Sequence, residues 1–359
     1  MKRALISVTD KTGLIPFVNK LKSFGYEIIS TGGTYQMLIG QGISCLKIDE
    51  VTHFPEIFEG RVKTLHPMVH GGLLGKRDSE LHIKEANEQG IHWIDMAVVN
   101  LYPFRETMIK ADATDESIIE NIDIGGPSMI RSAAKNHRFV SVVTDIKDYD
   151  MIIDSMDAFG NLSDDFRRRL AAKAFQLTAQ YDAWIAGYLA EEIYPERLTL
   201  TYTKKEILRY GENPHQSAAL YETGEKLPYS LTSAIKLHGK ELSYNNIQDA
   251  NASLMILKEF SLASVVAVKH MNPCGIGSDN DLYKAWKKAY EADPVSIFGG
   301  IIAVNQRFTK EIALELVALF LEVIIAPDYE EEALSILKEK KNLRILQESM
   351  GSRKPRFDI

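Results

Sequence analysis

Residues 4–21, ALISVTDKTGLIPFVNKL, set the pattern for the first part of the chain. Residues 4–7 are a short apolar run, residues 8–13 are polar and turn-rich, and Leu14, Phe17, Val18 and Leu21 then recur at spacings of three and four. That order predicts a strand, a loop and an amphipathic helix. A second unit follows: residues 26–30 read as a strand, Thr31-Gly32-Gly33-Thr34 as a turn, and residues 35–40 as a helix capped by Thr34. Residues 96–100 (MAVVN) read as a buried strand leaving through Leu101-Tyr102-Pro103-Phe104. Residues 115–122 and 129–136 read as helices, and residues 140–143 as a further strand. The alternation predicts an α/β fold with a doubly wound parallel sheet, whose ligands bind outside the carboxyl ends of the strands.

The loops of this sheet carry chemistry. Ser, Thr and Gly at helix N-termini present free backbone N–H groups, so residues 8–13 and 31–34 are candidate phosphate cradles; as single features they are also good helix caps. Residues 59–74, EGRVKTLHPMVHGGLL, show neither helical nor strand period and bring Arg61, Lys63 and His66 within six residues. Gly60 and Pro67 suit such a loop to gripping an anion, the alternative being a solvated basic turn. Asp123 precedes a Gly125-Gly126-Pro127 break, with Pro127 suited to a first helical turn. Lys135 near that helix's end either does chemistry or complements the macrodipole.

A length of 359 residues points to two or three domains. Formal charge is 42 − 49 = −7, which argues against general affinity for nucleic acid or anionic membrane, so cationic clusters mark local sites. Cys45 and Cys274 are the only cysteines, and they support neither a disulfide framework nor a structural zinc site. The start, MKRALISVTDK, has an apolar run too short for a signal peptide, and no run reaches transmembrane length, so a cytoplasmic protein is expected.

Between residues 145 and 192, Phe166, Leu170, Ala174, Leu177, Tyr181, Trp184, Ile185 and Tyr188 draw one apolar stripe, read as a connecting helix with a dimer or domain contact. Residues 208–216, LRYGENPHQ, are too polar and turn-rich for core. Tyr244-Asn245-Asn246 precede a helix over 248–260. Residues 264–268 (SVVAV) are a buried strand running into Lys269-His270-Met271-Asn272-Pro273-Cys274-Gly275. Neighbouring residues on a strand face opposite ways, so Lys269 and His270 act together only if the strand has broken, and Pro273 is the expected break. A lone His is more often structural. Gly275-Ile276-Gly277 is followed by Asn280 where a dinucleotide fingerprint wants Gly, which excludes a nicotinamide oxidoreductase.

Five ordered motifs, SVTDKTGL (7–14), STGGT (30–34), GRVKTLHP (60–67), VVNLYPF (98–104) and IDIGGPSMIRSAAKNH (122–137), resemble the cyclohydrolase domain of the bifunctional purine-biosynthesis enzymes that make inosine monophosphate. That domain is similar to methylglyoxal synthase. RYGENPHQ (209–216), KHMNPCG (269–275) and DPVSIFGG (293–300) resemble the transformylase domain of the same family, whose halves are cytidine-deaminase-like α/β folds. The resemblance implies a cyclohydrolase domain over 1–145, a helical connector over 146–200 and part of a transformylase domain over 201–359. The deaminase zinc signature lacks its second Cys, since Ile276-Gly277 follows Gly275, so no metal is expected.

The resemblance also implies roles. For ring closure Lys135 would be the proton shuttle, Asp123 its carboxylate partner, Tyr102 a positioning hydroxyl and Lys63 an electrostatic stabiliser. Ser7, Thr9, Asp10, Lys11, Thr31, Gly32, Gly33, Thr34, Arg61, Val62, Thr64, Val99, Asn100 and Ile124 would bind the nucleotide. For formyl transfer His270 would be the base and Lys269 the stabiliser, with Arg209, Tyr210, Asn246, Phe298, Gly299 and Glu322 contacting substrate; Glu322 stands where some relatives have Asp. Nucleotides and the co-substrate 10-formyltetrahydrofolate are the implied ligands, with no tightly bound cofactor, and a homodimer is the implied assembly. Family chains continue through a second half of the transformylase domain, so the expectation here is an intact cyclohydrolase, an impaired transformylase and an unpaired strand edge near residues 343–346. The alternative is a regulatory phosphate-binding module of the methylglyoxal-synthase-like type, but a sensor has no need of Lys135, Asp123 and Tyr102 together.

Overall fold

The computed structural model describes residues 1–192, 194–224 and 228–351. They form two units, residues 1–200 and 201–359.

In the first unit, strands β1 (Lys2–Ser7), β2 (Tyr26–Ser30), β3 (Leu46–Lys47), β4 (Met96–Val99) and β5 (Ser141–Val143) make a parallel sheet in the order β3-β2-β1-β4-β5. Ala4, Leu5 and Ile6 of β1 and all four residues of β4 are buried. Such continuous apolar runs belong to strands covered on both faces. Two groups of helices do the covering. Leu14–Ser23 packs with Tyr149–Phe159, where the Phe17 and Tyr149 rings stack at 4.1 Å. Pro67–Leu74, Gly125–Lys135 and Asp164–Leu189 form the other group. The helices of the 146–200 stretch therefore enter this core: Ile152, Met156, Phe166, Leu170 and Ala174 belong to it. Farther along the stripe, Tyr181, Trp184, Ile185 and Tyr188 close over Phe104 and Ile118 within the same unit.

The helix read as starting at Tyr35 begins at Gly32, with Thr31 at its N-cap position. Thr34 is not the cap. Its hydroxyl donates to Val8 O at 2.9 Å and accepts from Val8 N–H at 3.2 Å, tying the helix to the end of β1.

The second unit holds a hairpin, β6 (Thr203–Leu208) with β7 (Ala218–Glu222), and a six-stranded mixed sheet. The latter contains β8 (Ile235–His238), β9 (Ala263–Lys269), β10 (Asn272–Asp279), β11 (Ile301–Val304), β12 (Val323–Ala326) and β13 (Arg344–Gln347), in the order β10-β9-β11-β12-β13-β8. Alternate residues serve opposite faces: Val265, Ala267, Ile302, Val304 and Ile324 enter one core, Val266, Val268, Ile301, Ala303 and Ile325 the other. Residues 343–346 are not a free edge, because β8 pairs antiparallel with β13 on the side away from β12. That partner lies about a hundred residues upstream, beyond the reach of local pattern. Nor does the strand break at Pro273. It turns at His270-Met271, while Pro273 lies inside β10 beside a bulge that absorbs its missing N–H. The helix before β9 starts at Tyr244, earlier than its apolar period suggests, with a capping box between Ser243 and Asn246.

Gly275 and Gly277 find their use in packing. The Leu282–Ala292 helix lies directly on β10, and a methyl group on Gly277 would sit 1.9 Å from Ala285 O; one on Gly275 would sit 2.0 Å from Ala289 O. Both obstacles are backbone. Gly277→Ala is expected to destabilise the second unit by about 3 kcal/mol, the upper range for overpacking, read as a lower urea midpoint at unchanged slope.

At the end of β13, Glu348 is 2% exposed, and its carboxylate accepts the Ser230 N–H at 3.3 Å. Burial pushes its carboxyl up to about 7 from 4.5, against smaller pulls from that N–H and from Lys205. A raised folded value means that the native state holds more protons than the unfolded chain between those values, so this contribution is present below 4.5 and is lost as pH rises through 7. Between about pH 5 and about pH 8, Glu348→Gln is expected to gain about 3 kcal/mol of unfolding free energy relative to wild type. Parallel pH dependences in urea titrations of the two proteins would refute this.

Candidate functional site

The strand order of the first sheet reverses between β1 and β4, whose last residues, Ser7 and Val99, lie side by side in register. Loops leaving these strands diverge and open a crevice. A cavity of about 770 Å³ lies there, lined by the residues after β1 (Ser7 to Thr9, Lys11), the Thr31–Thr34 turn, the basic loop, Asn100 to Pro103, and the segment from Asp123 to Gly126.

Asn100 fixes the two loops to each other. Its Oδ1 accepts from Thr9 N–H at 2.5 Å and lies 2.7 Å from the Thr9 hydroxyl, and its Nδ2 donates to Asp10 O at 3.3 Å. Ser7 and Thr31 hydroxyls meet at 2.9 Å, joining the ends of β1 and β2. Asp10 turns its carboxylate back to Thr12 N–H at 2.9 Å; the backbone and side-chain bonds of Thr12 hold its carboxyl below the usual range.

Above the Thr31–Thr34 turn stand two cations. A methyl group on Gly32 would lie 3.9 Å from Lys63 Nζ, and one on Gly33 3.9 Å from Lys11 Nζ. Gly32 has φ 44°, so the first helical turn is bare of side chains where the ammonium groups converge. Backbone donors, the positive end of a helix and two ammonium groups make a phosphate-sized anion site. Arg61 pairs with Glu120 on the same cavity wall. Lys63 Nζ reaches the Tyr102 hydroxyl at 3.4 Å.

Asp123 closes the other side. One carboxylate oxygen accepts Gly126 N–H at 2.8 Å, capping the Gly125–Lys135 helix, and its backbone N–H donates to Tyr181 Oη, also at 2.8 Å. Tyr181 in turn donates to Asn121 O at 2.9 Å, so the long Asp164–Leu189 helix holds the segment on both sides of Ile122. Only glycine fits at 126: a methyl group there would meet Asp123 Oδ2 at 2.4 Å. Burial pushes the Asp123 carboxyl up, opposed by the Gly126 and Tyr102 backbone bonds and by the charge of Lys63.

Ser7, Thr9, Lys11, Thr31, Gly32, Gly33, Thr34, Arg61, Lys63, Thr64, Asn100, Tyr102, Asp123 and Ile124 thus line one cavity. Asp10, Val62 and Val99 stand behind that lining: Asp10 in its turn, Val62 bridged to Ile57, and Val99 buried at the end of β4. Lys135 does not join Asp123. It is exposed at the far end of an eleven-residue helix whose first turn Asp123 caps, a separation of about 16 Å. Within one chain the cation beside Asp123 is Lys63. Sequence reasoning missed Glu59, Glu120 and Met129, which reach the cavity only through the chain's path and carry no local signature.

In the second unit, Lys269 Nζ donates to Phe298 O at 2.8 Å and lies 4.0 Å from a methyl group placed on Gly299, which has φ 76°. The Gly299 N–H donates to Phe320 O, and the rings of Phe298 and Phe320 lie 5.4 Å apart. Glu322 accepts from Arg344 at 2.6 Å and from Asn246 Nδ2 at 3.4 Å. Its carboxylate is therefore already held by a buried arginine. Arg209 stacks over Tyr210, 5.4 Å from the ring centroid. Burial pushes the Cys274 thiol up, and among the described residues no group of three or more His, Cys, Asp or Glu side chains is placed to hold a metal ion. No helix of the described residues is long and apolar enough to cross a membrane.

Residues 133–358 match the AICARFT/IMPCHase bienzyme family and residues 13–128 the MGS-like domain. The bifunctional purine biosynthesis protein PurH of Bacillus cytotoxicus is 57% identical over 348 residues, 96% of this chain and 68% of that protein. PurH of Bacillus cereus is 56% identical over 352 residues, with the same coverage. Among solved structures ForH is 33% identical, with a TM-score of 0.47, over 53% of this chain and 99% of that one.

Because the Asp123 carboxylate caps a helix, Asp123→Ala is expected to lower unfolding free energy by about 1 kcal/mol, whereas Asp123→Asn, which keeps an acceptor for Gly126 N–H, melts like wild type. Equal melts for all three proteins would show that the cap contributes nothing.

Proposed function

The chain belongs to the AICARFT/IMPCHase bienzyme family, and from that premise we propose that it serves the last two steps of purine nucleotide synthesis. Its first unit closes the ring of the formylated aminoimidazole carboxamide nucleotide to inosine monophosphate with loss of water. Its second unit carries residues of the preceding formyl transfer, with 10-formyltetrahydrofolate as donor. A nucleotide and a one-carbon folate are the substrates. The homodimer and the cytoplasmic setting implied by the resemblance belong to the same reading.

The observation that carries it is the pairing, in one cavity, of the anion site under Lys11 and Lys63 with the half-buried Asp123 carboxyl. With the 5′-phosphate on the Thr31–Thr34 turn, the ribose falls between the Thr9 and Asn100 loops and the base faces Tyr102 and Asp123. Ring closure joins the carboxamide nitrogen to the formyl carbon. The carboxamide nitrogen loses a proton as the formyl oxygen gains charge; that oxygen then takes up two protons in all and leaves as water, while the formamido nitrogen gives up its proton and a C=N bond replaces the broken C–O bond. Asp123 is placed to move a proton, and Lys63 with the Tyr102 hydroxyl to stabilise the oxyanion. Formyl transfer forms a bond from the nucleotide's amine to the formyl carbon and breaks the bond from that carbon to the folate nitrogen. His270 takes the amine's proton, the departing folate nitrogen gains one in its place, and Lys269 stabilises the charge. Lys135 as proton shuttle rests on the resemblance, as do Arg209, Tyr210, Asn246, Phe298, Gly299 and Glu322 as substrate contacts.

Lys63→Ala and Asp123→Asn are each expected to slow cyclisation of the formylated nucleotide by about 100-fold to 10,000-fold. Absorbance of the product, followed with purified protein, measures this. Wild-type rates in both variants would remove the cavity from the chemistry. Lys135→Ala belongs in the same assay: a loss matching that of Lys63→Ala would mean that Lys135 reaches the reacting atoms from outside the single-chain cavity.

A further inference from the structure

The hairpin between β9 and β10 is the tightest turn in the second unit's sheet. Lys269 pairs with Asn272, so only His270 and Met271 form the turn, and both have positive φ, 55° and 62°. Two left-handed residues in a two-residue loop are what Asn-Gly or Gly-Gly supplies without strain. Side chains as large as His and Met pay a steric penalty in that region. Something must hold the turn, and the conformation turns His270 out of the alternation that would set it opposite Lys269.

Asp249 supplies the restraint. It sits half-buried on the Tyr244–Leu257 helix, and its two carboxylate oxygens take one turn amide each, Met271 N–H at 2.7 Å and His270 N–H at 3.2 Å. Asn272 Nδ2 donates to His270 O at 2.8 Å, so the peptide groups on both sides of His270 are fixed while its ring stays exposed. Asn246 lies one helical turn before Asp249 and donates to Glu322. One rigid helix thus carries both the bond to the Glu322–Arg344 pair and the clamp on the hairpin.

We propose that Asp249 is a positioning residue for formyl transfer: its carboxylate clamps the His270-Met271 turn and so presents the His270 imidazole and the Lys269 ammonium to one substrate. This rests on the reading of Lys269 and His270 as the transfer residues. It adds to that reading a residue that touches no substrate and is needed because the turn is built from residues that disfavour it.

The test follows the His270 ring itself in the full chain. With ¹³C-labelled histidine, the His270 signal is identified by its loss in His270→Ala, and the protein is titrated with aminoimidazole carboxamide ribonucleotide. Wild type is expected to show a saturable shift of that signal. Asp249→Asn, which keeps one acceptor for the Met271 N–H, is expected to need about tenfold more nucleotide for half saturation, the cost of one charge-assisted hydrogen bond. Asp249→Ala is expected to show no saturation over that range. Thermal melts unchanged in Asp249→Asn separate positioning from folding, and that variant carries the test if Asp249→Ala does not fold. Saturation at the wild-type concentration in Asp249→Asn overturns the inference alone. A His270 signal that ignores the nucleotide in wild type overturns the reading beneath it, and the inference with it.

Discussion

The parallel pairing of β1 with β4 is the constraint from which the first unit follows. It sets Ser7 beside Val99, sends the chain away to opposite faces of the sheet and leaves a gap where no crossover covers the strand ends. Asn100 then has to satisfy the polar backbone at that gap, and in doing so it spaces the Thr9 loop from the Tyr102 loop. Further cavity groups are tied down separately: Thr31 by Ser7, Thr34 by Val8, and Asp123 by Tyr181 of the long helix. Ligand-binding geometry is here a by-product of strand order, fixed by side chains that satisfy backbone groups.

Much of this was readable from the sequence because the signals are local. Continuous apolar runs at residues 4–6 and 96–99 mark strands covered on both faces, and Ser, Thr and Gly after them mark cradles. What the sequence hid is long-range. Thr34 looks like a cap in isolation, but its hydroxyl has a better use on Val8. Pro273 looks like a strand break, but β10 bulges to accept it, and His270 and Met271 turn instead, held by a carboxylate some twenty residues upstream. The strand β13 looks like an edge until β8 arrives from far earlier in the chain. Lys135 is legible as a motif residue, yet helix length carries it away from Asp123. Gly275 and Gly277, set aside as a failed dinucleotide fingerprint, are explained by a helix that lies against bare backbone.

Charge is distributed to the same end. The chain carries net charge −7, yet Lys11, Arg61 and Lys63 gather at one cavity. Glu59, Glu120 and Asp123 line the same cavity, so its positive field is confined to the Thr31–Thr34 end under Lys11 and Lys63, where small anions are drawn while the molecule as a whole repels polyanions. Asp123 sits within reach of that field, which lowers the cost of its ionised form against the burial that raises it. Lys63 thus belongs both to the anion site over the Thr31–Thr34 turn and to the surroundings that set the Asp123 carboxyl.

The Arg61–Glu120 pair has a consequence for turnover. Both partners are well exposed at the cavity wall, so the pair is worth little to stability. Its importance is in exchange: an anion that engages Arg61 displaces Glu120, and the carboxylate stays within reach to reclaim the guanidinium. On the proposed reading, in which this cavity takes the nucleotide's phosphate, Glu120 acts as an internal competitor at high effective concentration that weakens the hold on the product and shortens its residence. A cleft with three uncompensated cations would bind its nucleotide more tightly and let it go more slowly.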